Sequence, residues 1–193
     1  PLGGEIAERR IGWSLGRKQG KRNAGGRGRR GSATLVDAGE GEAHSCNAEK
    51  DYSAVSRSQG NGNVFAKQTG LSVDFIQDNE VISEYGVVRG LHLQKTPRAQ
   101  AKLIRVVQGQ IYDVAVDLRT DSSTYGEWFG VELSADNQTQ LFLPKGFAHG
   151  YSVVSEKAIV QYKVDVPYNP QAESGIRFND PDLGIDWRVD NPK

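Results

Sequence analysis

Residues 101–118 read AKLIRVVQGQIYDVAVDL, and this stretch decides the fold class. From residue 110 onward, apolar and polar side chains alternate with a period of two, which is typical of a β-strand with one face on a core. The apolar face holds Tyr112, Val114, Val116 and Leu118, and the other holds Ile111, Asp113, Ala115 and Asp117. Asp113 and Asp117 are therefore either residues of a barrel mouth or charges that face solvent.

Short β-rich runs of the same kind follow one another along the chain and are separated by turn residues. They are residues 73–79, 87–94, 101–109, 110–118, 126–134, 138–144, 150–155 and 158–166. No amphipathic pattern of ten or more residues lies between them, which argues against βαβ architectures. We therefore predict an all-β domain, a β-sandwich or jelly-roll barrel, in which a ligand binds where inward side chains converge at the mouth.

The first third of the chain differs in composition from this domain. Of the 23 glycines, 13 lie in residues 1–63, and residues 1–31 carry nine Lys or Arg against two Glu. No apolar period persists there, so we predict a disordered Gly/Arg-rich segment over residues 1–63 and a folded domain over residues 64–193. An RNA-binding tail is the alternative, but the basic tract lacks interleaved aromatic residues for base stacking, so nucleic-acid binding is not expected.

Cysteine content and hydropathy indicate a compartment. Cys46 is the single cysteine and has no partner within the chain for a disulfide, which fits a reducing environment. No apolar run is long enough for a membrane span or a signal-peptide core, and the mean hydropathy is −0.56. We expect a cytoplasmic protein without a membrane partner.

Two segments hold the informative histidines, RGLHLQ at 89–94 and LPKGFAHGY at 143–151. The second contains Pro144, Gly146 and His149 and resembles the Pro-x-Gly-x-x-His pattern of the cupin barrels. Metal-binding cupins have a second histidine two residues after the first, where this chain has Gln94, and the next glutamate is Glu127. Because most ligands of a first-row metal are missing, no metal site is expected.

A longer resemblance extends over residues 65–190 and includes FIQDN, GVVRGLHLQ, QAKLIRVVQGQIYDVAVDLR, LPKGFAHGYSVVSE, VQYKVDVPYNPQAESGIRFNDPDLGIDW and the stretches between them. In order and spacing it resembles the dTDP-4-dehydrorhamnose 3,5-epimerase family. The resemblance implies an isomerase of dTDP-rhamnose biosynthesis with a cupin-type jelly roll and no cofactor. It also implies a homodimer that acts on a dTDP-4-keto-6-deoxyhexose, a nucleotide sugar.

The resemblance also implies catalytic roles that fit the chemistry. Inversion of a carbon next to a ketone needs a base for the α-proton, a group that holds the enolate oxygen, and an acid on the opposite face. His92 matches the base, Lys102 the cation at the enolate and Tyr162 the acid.

Six further residues match the family's substrate contacts. Arg89 is suited to paired phosphate oxygens, and the resemblance implies an aromatic residue that stacks on the thymine, which is Tyr168. The full set is Gln77, Asn79, Arg89, His149, Tyr168 and Glu173. Taken one at a time, these residue types are more often packing, turn or surface residues, and His92 alone reads as a core or edge histidine.

Two departures from the family concern activity. Residues 1–63 lack its Asp-Glu-Arg-Gly-Phe-like segment, for which a frame change, a fusion or a mispredicted first exon is our hypothesis. The family's Leu-Ser-x-Lys-Asp-like segment, whose carboxylate orients the catalytic histidine, is also not found, and Asp186 or Asp190 is the candidate substitute. Two alternatives to the double epimerase therefore stay open. One is a truncated or degenerate cupin that binds a dTDP-sugar without turnover, and the other a single-carbon epimerase or ketoisomerase of nucleotide sugars.

Overall fold

The computed structural model describes residues 34–36, 66 and 71–193. Within these residues, the regular structure consists of ten β-strands and one 3-10 helix, in addition to the single helical residue Ala66. The strands are β1 Thr34–Val36, β2 Gln77–Glu84, β3 Val88–Gln94, β4 Lys102–Gln108, β5 Gln110–Asp117, β6 Trp128–Ser134, β7 Gln140–Leu143, β8 Phe147–Val153, β9 Lys157–Val164 and β10 Glu173–Gly175. The 3-10 helix is Pro170–Ala172 and leads directly into β10.

The strands form two five-stranded antiparallel sheets. The first sheet has the order β1-β7-β4-β9-β2 and the second has the order β10-β3-β8-β5-β6. Strands distant in sequence pair with each other, since β2 pairs with β9 and β3 with β8. This nested pairing closes the chain into a jelly roll, which confirms the predicted all-β fold class.

The hydrophobic core lies between the sheets and is supplied by alternate residues of the strands. It contains Ile104 and Val106 of β4, Val160 of β9, and Ile111 and Leu133 of the second sheet. None of these five side chains is more than 6% exposed. The period-two alternation in the sequence therefore produces inward-facing apolar layers.

β5 is buried on both faces, which corrects one alternative from the sequence. Asp113 and Asp117 are both fully buried, so the interpretation of these residues as solvent-facing charges is wrong. The reason lies in the fold, because the face that alternates with them is also covered. Tyr112, Val114 and Val116 of that face pack against Trp187.

The segment that follows β10 covers the outer face of the second sheet. Its apolar side chains Ile176, Phe178, Leu183, Ile185, Trp187 and Val189 join the cluster around β5. Its polar groups are also paired, since Trp187 Nε1 donates to the Phe178 carbonyl at 2.7 Å and the Ser152 hydroxyl donates to the Trp187 carbonyl. The second sheet is therefore a middle layer between the barrel interior and this segment.

The predicted strand over residues 73–79 differs from the structure in its bounds. β2 begins at Gln77, and the residues before it form an extended segment on the first sheet. Leu71, Val73 and Phe75 pack there against Phe142 and other apolar residues. Alternation marks an extended chain with one buried face, but it does not show whether the backbone pairs with a neighbouring strand.

The segment over residues 1–63 lies outside the described residues apart from β1, which pairs antiparallel with β7. Its disorder and the boundary at residue 64 stay predictions. Within the part of the chain that the structure describes, no helix is long and apolar enough to cross a membrane.

The buried Asp117 organises the loop that follows β5. Its Oδ1 accepts from the Arg119 backbone N–H at 3.0 Å, and its Oδ2 accepts from the Ser122 and Thr124 hydroxyls at 2.7 and 2.6 Å. The Arg119 guanidinium adds an ion pair at 2.7 Å. Burial alone would raise the pKa of Asp117, but these bonds hold it well below its usual range.

We expect Asp117→Ala to lower the free energy of unfolding by about 2–4 kcal/mol, because it leaves several loop donors without an acceptor. Urea unfolding at pH 7 measures this change. Asp121→Ala, at an exposed site in the same loop, is the control and should stay within about 0.5 kcal/mol of the parent. Equal unfolding midpoints for the two variants would contradict this account of the loop.

Candidate active site

The interior of the barrel is apolar at one end and polar at the other. The second sheet supplies His92 from β3 and His149 from β8, which are register partners. Their ring centroids are 5.9 Å apart and the rings meet edge to face at 64°. The first sheet supplies Lys102 from β4 and Tyr162 from β9, with Tyr162 opposite Ile104 of the core. Four of the predicted site residues therefore come from the two facing sheets, two from each, and the space between them is called the cavity below.

His149 is held by a carboxylate. Its Nε2 lies 2.8 Å from Asp113 Oδ1, and the side chains of both residues are almost fully buried. Asp113 comes from the neighbouring strand β5, where it lies diagonally across from His149. A buried carboxylate that bonds one ring nitrogen fixes the orientation of the imidazole and leaves the other nitrogen for the cavity.

His92 has a different environment. No described residue makes a hydrogen bond to its ring, and burial, the nearby Lys102 ammonium and His149 together lower its pKa to about 3. The imidazole is therefore neutral across the physiological range and can accept a proton. Neither proposed substitute carboxylate forms a hydrogen bond to it. Asp186 accepts from the Arg188 backbone N–H and lies near Tyr112 on the outer side of the second sheet, and Asp190 is exposed.

Lys102 is a buried cation with an unusually low affinity for its proton. Burial lowers its pKa to about 8, and the negative charges of Asp113 and Glu173 offset part of this effect. The side chain is only 4% exposed, and none of the described residues forms an ion pair with its ammonium. A desolvated cation of this kind interacts strongly with any negative charge that develops beside it.

Tyr162 is a protonated phenol on the wall opposite His92. Burial raises its pKa, and the positive charge of Arg89 offsets a part of the rise. The phenol therefore keeps its proton at neutral pH and can donate it. A neutral base and a proton donor thus face the same cavity from different sheets, with the Lys102 cation on the donor's side.

The predicted binding residues join the same region. Gln77 donates from Nε2 to Asn79 Oδ1 at 2.8 Å, and Asn79 is the cross-strand partner of Tyr162. Glu173 accepts a hydrogen bond from the Tyr168 hydroxyl, and its negative charge raises the pKa of Lys102. The positive charge of Arg89 offsets part of the rise that burial causes in the pKa of Tyr162. All nine predicted residues are thus linked to one another by hydrogen bonds, strand pairing, ring contacts or electrostatic effects. Their individual roles stay predictions.

Three residues that sequence reasoning did not assign to the site also lie in this region, and so does Asp113, for which a barrel-mouth position was one of two open alternatives. Asp113 pairs with His149, and Ser83 accepts a hydrogen bond from Arg89 Nε at 2.9 Å. The ring centroids of Tyr151 and His149 are 6.2 Å apart, and Tyr151 is almost fully buried. The Gln94 side chain accepts a hydrogen bond from the Asn169 backbone N–H. The available signal was the period of two along a strand. Once one inward residue of β2, β5 or β8 is known, every second residue of that strand is also expected to face inward.

Metal ligation was tested on the donor set. Among the residues that the structure describes, no three His, Cys, Asp or Glu side chains lie close enough to hold a metal ion. Gln94, at the position of the second cupin histidine, uses its side-chain oxygen for a backbone N–H. The structure therefore offers no first-row metal site of the cupin type over this range.

Comparisons with known proteins agree with this geometry. The family model described as dTDP-4-dehydrorhamnose 3,5-epimerase matches residues 48–193. The protein of that name from Methanothermobacter thermautotrophicus is 52% identical over 124 residues, which cover 64% of this chain and 66% of the relative. The chain thus spans about two thirds of the length of that relative.

Solved structures give the same result. The Bacillus anthracis dTDP-4-dehydrorhamnose 3,5-epimerase with TDP and PPi bound is 51% identical, with a TM-score of 0.67 over 68% of this chain and 75% of that one. A Legionella pneumophila 3,5-epimerase in complex with dTDP-4-keto-L-rhamnose is 41% identical, with a TM-score of 0.67 over 70% and 72%. Because the family model matches well over half of the sequence, this chain belongs to the dTDP-4-dehydrorhamnose 3,5-epimerase family.

Proposed function

We propose that this chain is a dTDP-4-dehydrorhamnose 3,5-epimerase that inverts the two carbons flanking the C4 ketone of dTDP-4-keto-6-deoxyglucose. The observation that carries the proposal is the pair of opposed proton carriers, a neutral His92 and a protonated Tyr162, on the two walls of one cavity. A base and an acid on opposite faces of a sugar ring are what inversion through an enolate requires.

The proposed reaction proceeds through an enolate. His92 takes the proton from the carbon next to the ketone, and the electron pair of that C–H bond moves to the C4 oxygen as an enolate. The Lys102 ammonium stabilises the enolate oxygen in the dry cavity. Tyr162 then gives its proton to the opposite face of the same carbon, the ketone reforms, and solvent restores the protonation states of His92 and Tyr162. No redox partner is needed.

The remaining side chains hold the nucleotide sugar. Arg89 is exposed and its Nε is bonded to Ser83, so the terminal nitrogens of the guanidinium are available to phosphate oxygens. Gln77 and Asn79 offer further amide groups on the same side as Tyr162, and His149 presents an oriented ring beside the base. Tyr168 is 52% exposed and offers a flat ring to the thymine.

The family resemblance further supports a homodimer in the cytoplasm. Ile82 and Val107 are 54% and 44% exposed in strands of the first sheet, and Ile82 pairs across β2 and β9 with Ile159. Exposed apolar residues on a sheet face favour association with a second copy. Light scattering of the purified chain measures the mass that this assembly would have.

Deuterium incorporation tests the catalytic assignment directly. With dTDP-4-keto-6-deoxyglucose in deuterated water, we expect label at both C3 and C5, detected by NMR. His92→Asn keeps a polar side chain and removes the basic ring nitrogen, so labelling should slow by at least about 100-fold. Label at C3 alone would instead identify a single-carbon epimerase. Binding of dTDP without any exchange would identify a cupin that binds without turnover.

Tyr162→Phe separates the acid from the base. The variant still has His92, so we expect exchange of the α-proton to continue while formation of the inverted product falls by about 100-fold or more. Exchange followed by mass spectrometry and inversion followed by NMR give the two rates on the same sample. If inversion continues at the parent rate, Tyr162 is not the proton donor.

The pH dependence of kcat/KM follows from the two lowered pKa values. His92 must be neutral, and with a pKa of about 3 it stays so at all higher pH, so no loss of activity is expected near pH 6.5. Lys102 must be protonated, and with a pKa of about 8 its charge is lost above that pH. Activity should therefore be level through the neutral range and fall above about pH 8.

Glu173 provides the control for the alkaline limb. Its charge raises the pKa of Lys102, so Glu173→Gln should lower that pKa and move the alkaline limb to lower pH. Tyr162 has a raised pKa and would give a limb only at higher pH. An alkaline limb that stays in place in Glu173→Gln would show that Lys102 does not cause it.

A further inference from the structure

Gln94 lies close to His92 in the sequence and has no role in the proposed reaction. It lies two residues after His92 on β3 and therefore on the same face of the strand. Its side chain is only 6% exposed, and its Oε1 accepts the backbone N–H of Asn169 at 3.0 Å across 75 positions of sequence. Because the partner is an N–H donor, the oxygen rather than the nitrogen of the amide must face it.

The N–H that Gln94 accepts belongs to the peptide unit between Tyr168 and Asn169. A peptide unit is planar and includes the Cα atoms of both residues, so fixing its N–H fixes the direction in which the chain leaves Tyr168. Asn169 has extended dihedral angles, φ −132° and ψ 113°, as expected for a residue before proline. Its Oδ1 also caps the following turn by accepting from the Gln171 N–H at 2.9 Å.

The other end of this turn is held independently. The Lys95 N–H donates to the Ala172 carbonyl at 2.8 Å, and Glu173 pairs with Gln94 in the register of β10 and β3. These backbone contacts lie beyond the turn, whereas Gln94 acts on the peptide next to Tyr168. The Tyr168 side chain, half exposed, then bonds to Glu173 through its hydroxyl.

We propose that Gln94 is a positioning residue for the Tyr168 ring, holding it where it stacks on the base of a nucleoside diphosphate. The inference rests on the proposed function, in which Tyr168 contacts the thymine. The position that serves as a metal ligand in other cupins here connects the strand of the catalytic base to the loop of the base-binding aromatic. Gln94 thereby controls affinity for the nucleoside part of the ligand and leaves the diphosphate contacts unchanged.

Calorimetric titration of the full chain with dTDP, and separately with inorganic pyrophosphate, tests this role. Gln94→Met keeps the side-chain length and removes the acceptor, so dTDP should bind about tenfold more weakly, because the segment that carries Tyr168 must then be ordered when the ligand binds. Pyrophosphate has no base, and its affinity should not change. In a Tyr168→Ala background the effect of Gln94→Met on dTDP should disappear, because the ring that it positions is gone.

Three results would overturn the proposal: an unchanged dTDP affinity, an equal loss for pyrophosphate, or a full tenfold loss that persists without Tyr168. Amide hydrogen exchange of the parent protein is a test that needs no variant, since a rapidly exchanging Asn169 N–H would mean that the bond to Gln94 is not maintained. A parent chain that does not bind dTDP would instead refute the proposed function, so the two failures are distinguishable.

Discussion

The burial of β5 on both faces is the constraint on which the rest of the structure depends. A strand between the barrel interior and the C-terminal covering segment has no access to solvent, yet β5 carries Asp113 and Asp117. A buried carboxylate is tolerated only when other groups replace its water. The fold supplies those groups separately: the loop after β5 closes on Asp117, and His149 from β8 binds Asp113. Asp117 therefore stabilises the loop after β5, and Asp113 orients a histidine in the cavity.

Burial also determines the protonation states of the groups in the cavity. In a dry interior the charged form of every group is penalised, so burial is the largest cause of the lowered pKa values of both His92 and Lys102. The positive charge of Lys102 lowers the pKa of His92 further. The result is a neutral imidazole next to an ammonium that holds its proton only up to about pH 8. Side chains of the same types on an open surface would both be protonated at mildly acidic pH.

The sequence predicted the architecture well because strand alternation and turn residues are local signals. The two-sided burial of β5 was not predictable from that pattern, since an aspartate on a strand looks the same whether solvent or a histidine faces it. The segment around Val73 shows the converse: its alternation is real, but it reflects packing on Phe142 rather than strand pairing. The resemblance brought the nine candidate residues together, and the structure adds partners for them, such as Ser83 for Arg89 from the preceding strand and Asp113 for His149 at a separation of 36 residues. Contacts between strands far apart in sequence carry no local signature, so single-sequence reasoning misses them.

The low pKa of His92 raises a question about its strength as a base. A base with a pKa of about 3 is neutral but holds a proton weakly, and no described carboxylate contacts the ring to compensate. Burial is the largest cause of that weakness, and the positive charge of Lys102 is the second. In the proposed reaction, transfer of the α-proton to His92 forms an enolate, and the negative charge of the enolate lies beside the Lys102 ammonium. The repulsion that disfavoured the imidazolium is then largely neutralised, so the proton affinity of His92 rises as the enolate develops. In this proposal His92 and Lys102 act together, because the negative charge of the enolate beside Lys102 raises the proton affinity of His92.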